Sequence, residues 1–146
     1  MTLTVLFDLD DTLLNTNMGE FLPAYFKGLG QALSHLGSHH KITEQIKAAV
    51  EEMVANRDPS MLLKDVFVEN FYPQLGTTEF DCRDVLETFY ATEFPKLESL
   101  VKPKSEAVSL VQWCKSQGMR LAIATNPLFP ETATRQRIRL SLIHIS

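Results

Sequence analysis

Two aspartates spaced two residues apart are the first residues of the chain that could do chemistry. Asp8 and Asp10 directly follow an apolar run that ends at Phe7, and Asp11 and Thr12 come next. Alternate side chains of an extended chain point the same way, so the two carboxylates should converge on one small volume. A divalent cation relieves their repulsion, and hard oxygen ligands of this kind suit Mg²⁺. An ionised nucleophile beside a second acid is also what group transfer through a covalent intermediate requires.

A helix cap or an acidic turn is the structural alternative for this motif, since Asp and Thr favour both. A lone pair of alternating aspartates would not distinguish the two interpretations. Here an apolar strand pattern, both aspartates, Thr12 and the Leu13-Leu14 pair occur together, and this combination favours a catalytic site.

Composition and charge describe an ordinary globular chain. Its 146 residues are 45% hydrophobic and 22% charged, which suits one domain or a small domain with an insertion. The formal net charge of -4 offers no attraction for nucleic acid, and no apolar run is long enough to span a membrane. Cys82 and Cys114 lack metal-ligand spacing, so we expect reduced, buried thiols in a cytoplasmic protein. No pattern indicates the oligomeric state.

The elements around the aspartates predict an α/β fold. The apolar run before Asp8 predicts a buried parallel strand. Four helical segments follow between residues 21 and 97, with Thr43 as a possible N-cap. A helix that starts near Pro103 and a second buried strand at residues 121–124 come next. Without the helical insertion a βαβ unit remains, whose parallel strands would present polar residues at their carboxyl ends.

Two short motifs resemble those of the haloacid dehalogenase superfamily of hydrolases. The first, similar to motif I, is Phe7-Asp8-Leu9-Asp10-Asp11-Thr12-Leu13. The second, similar to motif II, is Ile123-Ala124-Thr125-Asn126. The helical stretch between them resembles the helical cap of the family, and residues 126–130 resemble a subgroup of bacterial members. The resemblance covers residues 1 to about 139.

The resemblance implies a partial Rossmann-like core, with the first two strands of a parallel sheet only, and an inserted α-helical cap bundle. The core would comprise residues 1–14 and 100–139, and the cap residues 15–99. Residues 140–146 resemble the translation of a transposon-end adapter used in sequencing libraries, so we expect a non-native tail. The alternative is a natural alternating segment that forms an edge strand.

The residue roles of the family carry over to the positions that match its motifs. Asp8 would attack phosphorus and become an aspartyl-phosphate, and Asp10 would protonate the leaving oxygen and then activate water. The Asp8 carboxylate and the Asp10 backbone carbonyl would bind Mg²⁺. Thr125 and Asn126 would hold the phosphoryl oxygens. Thr12 would brace the loop.

The activity that the resemblance implies is that of a Mg²⁺-dependent phosphatase, a phosphoric monoester hydrolase acting on a small phosphorylated metabolite. Members that resemble true dehalogenases use no acid at the second aspartate, because halide leaves without protonation. Asp10 therefore favours phosphate chemistry. A phosphomutase of the same superfamily is one alternative, and a catalytically inactive fragment or helical binding module is another.

Two further elements of the family are expected downstream of Thr125. A lysine would neutralise Asp8 and the phosphate, and an acidic pair would complete the Mg²⁺ shell. The residues after Thr125 include no lysine and a single acid, Glu131. We therefore expect the chain by itself to be inactive, and the activity to belong to the full-length protein.

Other residues of chemical interest favour structural roles. Trp113 is expected in the core. Lys104 belongs to a lysine pair that is typical of surface charge. Arg135, Arg137 and Arg139 alternate and do not share a helical face, which does not favour a phosphate-binding role for them.

The reading frame of the intact gene tests the incomplete site and the tail together. Beyond Arg139 we expect the native frame to encode a lysine and then an acidic pair after a hydrophobic strand. Sequencing the genomic locus is the measurement. A genome that encodes residues 140–146 followed by a native stop codon would contradict the interpretation of the tail.

Overall fold

The computed structural model describes residues 2–141, so residues 142–146 of the predicted tail lie outside the described range. Within that range the β-strands are β1 (Thr4–Phe7), β2 (Leu14–Thr16), β3 (Val101–Pro103) and β4 (Arg120–Ile123). The α-helices are α1 (Met18–Ala32), α2 (His39–Ala55), α3 (Leu63–Phe71), α4 (Glu79–Thr92), α5 (Ser105–Ser116) and α6 (Glu131–Leu140). Short 3₁₀ segments lie at Ser34–Leu36, Pro73–Leu75 and Phe94–Leu100.

The strands β1 and β4 form a parallel pair. Thr4 lies opposite Arg120, and Phe7 lies opposite Ile123. The helix α5 precedes β4 in the chain and packs against it, which gives the βαβ arrangement. The predicted α/β class and parallel core are therefore confirmed.

The paired strands are less buried than the sequence predicted. Phe7 is buried in the apolar cluster that includes Val111 of α5, and the half-buried Val5 packs against this cluster. Leu6, which points to the opposite face, is 65% exposed. Trp113 of α5 is 53% exposed, so its predicted core position is wrong. The reason is that within residues 2–141 these elements are covered from one side, so only their inward residues are buried.

The insertion carries the four predicted helices, α1 to α4. Each buries one face; in α1 this face holds Phe21, Tyr25 and Leu29, at the spacing of helical turns. The helix α2 begins earlier than the sequence predicted, because the Ser38 hydroxyl, and not that of Thr43, caps it by accepting the Lys41 backbone N–H at 3.3 Å. No helix within residues 2–141 combines the length and apolarity needed to cross a membrane.

The interior of the cap is rich in aromatic side chains. The hydroxyls of Tyr25 and Tyr90 lie 2.7 Å apart in a buried hydrogen bond between α1 and α4. Phe94 packs edge-on against both Phe21 and Tyr25. Burial raises the pKa of Tyr25 to about 12 and raises the pKa of Tyr90 well above its ordinary value.

A short antiparallel pair joins the core to the cap, and we call it the neck. It consists of β2 and β3, with Leu14 opposite Pro103 and Thr16 opposite Val101. The sequence did not predict these strands, and Pro103 ends β3 instead of starting a helix. The neck lies where the sequence predicted the two junctions between core and cap. The segment that leaves the core (β2) and the segment that returns to it (β3) are therefore paired side by side.

Leu14 of the neck is completely buried, and its replacement tests how much the neck contributes to stability. We expect Leu14→Ala to lower the free energy of unfolding by about 3 kcal/mol, because the truncation leaves a cavity. Equilibrium urea unfolding measures the change. The matched control is Leu62→Ala, at a position that is 69% exposed, where the change should stay within about 0.5 kcal/mol. Equal losses would contradict the buried position of β2.

Because of the buried tyrosine pair, the free energy of unfolding should depend on pH in the alkaline range. The unfolded chain loses the Tyr25 proton near pH 10.0, whereas the folded chain holds it to about 12. The unfolded state binds fewer protons in this window, so the free energy of unfolding falls as the pH rises. Tyr25→Phe should remove about 1 kcal/mol of the loss between about pH 9 and about pH 11. Urea midpoints at both pH values measure it, and a parallel decline in both proteins would exclude this origin.

Candidate active site

The ends of β1 and β4 bring two of the predicted site residues to one edge of the sheet. The backbone N–H of Ala124 donates to the Phe7 carbonyl at 2.8 Å, which continues the strand pairing to its last residues. Asp8 and Thr125 follow directly, so both begin at this edge. Asp8 is exposed and Thr125 is half-buried, while Asn126 is exposed beyond it. This is the position where ligands bind in open α/β sheets.

The loop after β1 is held by a tight turn. The backbone N–H groups of Leu13 and Leu14 both donate to the Leu9 carbonyl at 3.0 Å. Leu9 is 2% exposed, so its side chain anchors the loop in the core, whereas Asp8 before it is exposed. The Thr12 hydroxyl donates to Oδ2 of Asp8 at 3.0 Å. One carboxylate oxygen of Asp8 is thereby fixed, and the other is not engaged by Thr12.

Asp11 adopts a left-handed backbone conformation at the corner of this loop, with φ of 57°. Aspartate tolerates this region better than most residues do. The ammonium group of Lys104 donates to the Asp11 carbonyl, and the Lys104 backbone N–H donates to the Leu13 carbonyl at 3.0 Å. Lys104 therefore braces the loop across the neck. Its prediction as surface charge missed this role, because no local pattern signals a partner 93 residues away.

The Asp10 carboxylate has partners that the sequence did not identify. Nη1 of Arg137 donates to Oδ2 of Asp10 at 3.0 Å, and Nη2 of Arg137 contacts Oδ1. Thr16 of the neck donates to the same Oδ1 at 3.4 Å. The Asp10 side chain is 32% exposed, so part of it remains open to solvent.

Arg137 is the charged residue that sequence reasoning missed. It lies on α6, its side chain is 3% exposed, and its guanidinium group contacts two aromatic rings. The guanidinium carbon is 5.2 Å from the ring centre of Phe21 and 5.1 Å from that of Phe129. Alternating arginines on a surface helix gave no signal for a buried partner, and the Asp10–Arg137 contact joins residues 127 apart.

The two aspartates differ in environment instead of sharing one. Asp8 is exposed and bound by Thr12, whereas Asp10 turns toward Arg137 and Thr16. Within residues 2–141, no group of three or more His, Cys, Asp or Glu side chains could hold a metal. The exposed Asp8 carboxylate and the Asp10 backbone carbonyl are still oxygen ligands of the type that Mg²⁺ prefers. This ion needs only one or two carboxylates from the protein and keeps several waters.

Two cavities border this region. The larger, of about 320 Å³, lies between the cap and α6, and its lining includes Phe21, Phe94 and Arg137. The smaller, of about 220 Å³, lies beside the loop after β1, and its lining includes Thr12 and Lys104. Neither lining includes Asp8, which lies on an open surface where a ligand can approach it directly.

The chain matches a known protein family over most of its length. The model of a hydrolase family, the haloacid dehalogenase-like hydrolases, matches residues 2–142. The match spans both parallel strands, the helical insertion and the segments that carry Asp8, Asp10 and Thr125. A comparison with curated proteins gives no match.

Proposed function

This chain belongs to the haloacid dehalogenase-like hydrolases, and from that premise we propose that the full-length protein is a Mg²⁺-dependent phosphatase of a small phosphorylated metabolite. The observation that carries the proposal is the second acid, Asp10, which lies in the same loop as Asp8 and is held by Arg137 and Thr16. The alkoxide released from a phosphate ester needs a proton, whereas halide does not. A restrained second acid therefore supports phosphate ester hydrolysis over dehalogenation.

In the first step of the proposed reaction, a carboxylate oxygen of Asp8 forms a bond to phosphorus. The bond from phosphorus to the leaving oxygen breaks, and that oxygen takes the proton of Asp10. The Thr12 hydroxyl supports the role of Asp8 as the nucleophile, because its hydrogen bond of 3.0 Å to one Asp8 oxygen orients the carboxylate. Thr125 and Asn126 follow the neighbouring strand, where they would hold the phosphoryl oxygens.

In the second step, water hydrolyses the aspartyl-phosphate. Asp10, now ionised, takes a proton from the water as it attacks phosphorus, and the bond to Asp8 breaks. The products are inorganic phosphate, the free Asp8 carboxylate and protonated Asp10, so the acid is ready for another ester. One side chain thus serves as acid and then as base.

The metal would be held by the Asp8 carboxylate and the Asp10 backbone carbonyl. Bound there, Mg²⁺ neutralises charge on the transferring phosphoryl group. A lysine and an acidic pair beyond Thr125 in the full-length protein would supply the remaining charge compensation and metal ligands. We propose that the 146 residues alone do not turn over substrate for this reason.

Asp8→Asn in the full-length protein tests the nucleophile. The amide keeps the shape of the side chain but cannot attack phosphorus, so we expect phosphatase turnover to fall by about 10⁴-fold or more. Release of inorganic phosphate from a panel of phosphate monoesters measures turnover, and thermal unfolding checks the fold. The matched control is Asp11→Asn, which changes an exposed neighbour and should keep activity within about 2-fold. Unchanged turnover in Asp8→Asn would remove Asp8 from the mechanism.

A further inference from the structure

Arg137 holds the Asp10 carboxylate by both of its oxygens. The two terminal nitrogens of the guanidinium group each contact one carboxylate oxygen, with the Nη1–Oδ2 pair at 3.0 Å. Such a forked contact fixes the plane of the carboxylate as well as its position. A single hydrogen bond would leave the carboxylate free to rotate.

The guanidinium group is itself fixed by its surroundings. The Arg137 side chain is 3% exposed, and both carboxyl oxygens of Asp10 accept hydrogen bonds from it. The rings of Phe21 and Phe129 lie on it at 5.2 Å and 5.1 Å, and Nη2 also donates to Thr16 at 3.1 Å. These partners come from the cap, the neck and the segment before α6. The arginine cannot shift without breaking contacts to all of them.

This contact leaves one acceptor position of the Asp10 carboxylate unoccupied. A carboxylate offers about four acceptor positions, of which Arg137 occupies one on each oxygen. Thr16 takes a third at 3.4 Å, and the Asp10 side chain is 32% exposed. The remaining position can therefore face a leaving oxygen or a water. The backbone carbonyl of Asp10 takes no part in the pair, so the proposed metal position does not compete with Arg137.

We propose that Arg137 is a positioning residue, which fixes the orientation of the Asp10 carboxylate for proton transfer. The inference rests on the proposed function, in which Asp10 is the acid and base. Arg137 does not contact substrate in this role; it acts through Asp10. A purely structural ion pair makes a different prediction, since its loss would affect all substrates alike.

The test compares two esters with different needs for a proton. Nitrophenolate leaves p-nitrophenyl phosphate unaided, whereas the alkoxide of glycerol phosphate needs an acid. In the full-length protein, Arg137→Met keeps an apolar side chain against the two rings and frees Asp10. We expect kcat/KM for glycerol phosphate to fall by about 100-fold, and kcat/KM for p-nitrophenyl phosphate by less than about 3-fold. Asp10→Asn provides the reference pattern for loss of the acid.

Two further variants complete the design. Arg135→Met is the matched control on the same helix, where the exposed Arg135 pairs with Glu131, and both esters should change by less than about 2-fold. Arg137→Lys keeps the positive charge but cannot contact both carboxylate oxygens of Asp10 with two fixed nitrogens. It should therefore lower kcat/KM for glycerol phosphate by about 10-fold, and it should be more stable than Arg137→Met. Thermal unfolding of every variant separates folding from positioning.

Each outcome decides the inference. Equal losses on both esters, or no loss, in a folded Arg137→Met protein would overturn the positioning role and leave the proposed function intact. Failure of both Arg137 variants to fold would assign the arginine to stability alone and also overturn it. If the parent protein hydrolyses neither ester nor any other phosphate monoester of the panel, the proposed function itself fails. That result is distinct because it is seen without any substitution.

Discussion

The parallel pairing of β1 with β4 is the constraint on which the rest of the structure depends. Because Phe7 lies opposite Ile123, Asp8 and Thr125 start from the same edge of the sheet. The helical insertion must then leave from that edge and return to it. The neck meets this requirement by hydrogen-bonding the outgoing β2 to the returning β3, which places the cap directly beside the loop that carries both aspartates.

Much of this fold could be predicted from local spacing. Burial of one helix face repeats every three or four residues, as Phe21, Tyr25 and Leu29 show, so the four cap helices were evident in the sequence. Strand ends were equally evident, because apolar runs stop at Asp8 and before Thr125. The candidate residues at the sheet edge followed from this geometry, since parallel strands present their carboxyl ends together.

The remainder depends on contacts between distant segments, which leave no local pattern. Arg137 and Lys104 have the composition and spacing of surface charge, yet both reach the loop after β1. The strand β2 spans Leu14–Thr16, too short for an alternation to be recognised. Trp113 is the opposite case, a hydrophobic residue that was predicted to be buried and is exposed. A hydrophobic side chain favours burial, but it becomes buried only where another element packs against it.

The neck also changes the entropy of assembling the sheet. Pairing β2 with β3 closes residues 17–100 into a loop whose ends are already adjacent. The strands β1 and β4 are then separated, in effective chain length, by the segments 8–13 and 104–119 alone. Loop-closure entropy grows only logarithmically with length, so lengthening the cap adds little to this cost. A cap of different length would therefore change the entropy of pairing β1 with β4 only slightly, and the register that positions Asp8 would stay the same.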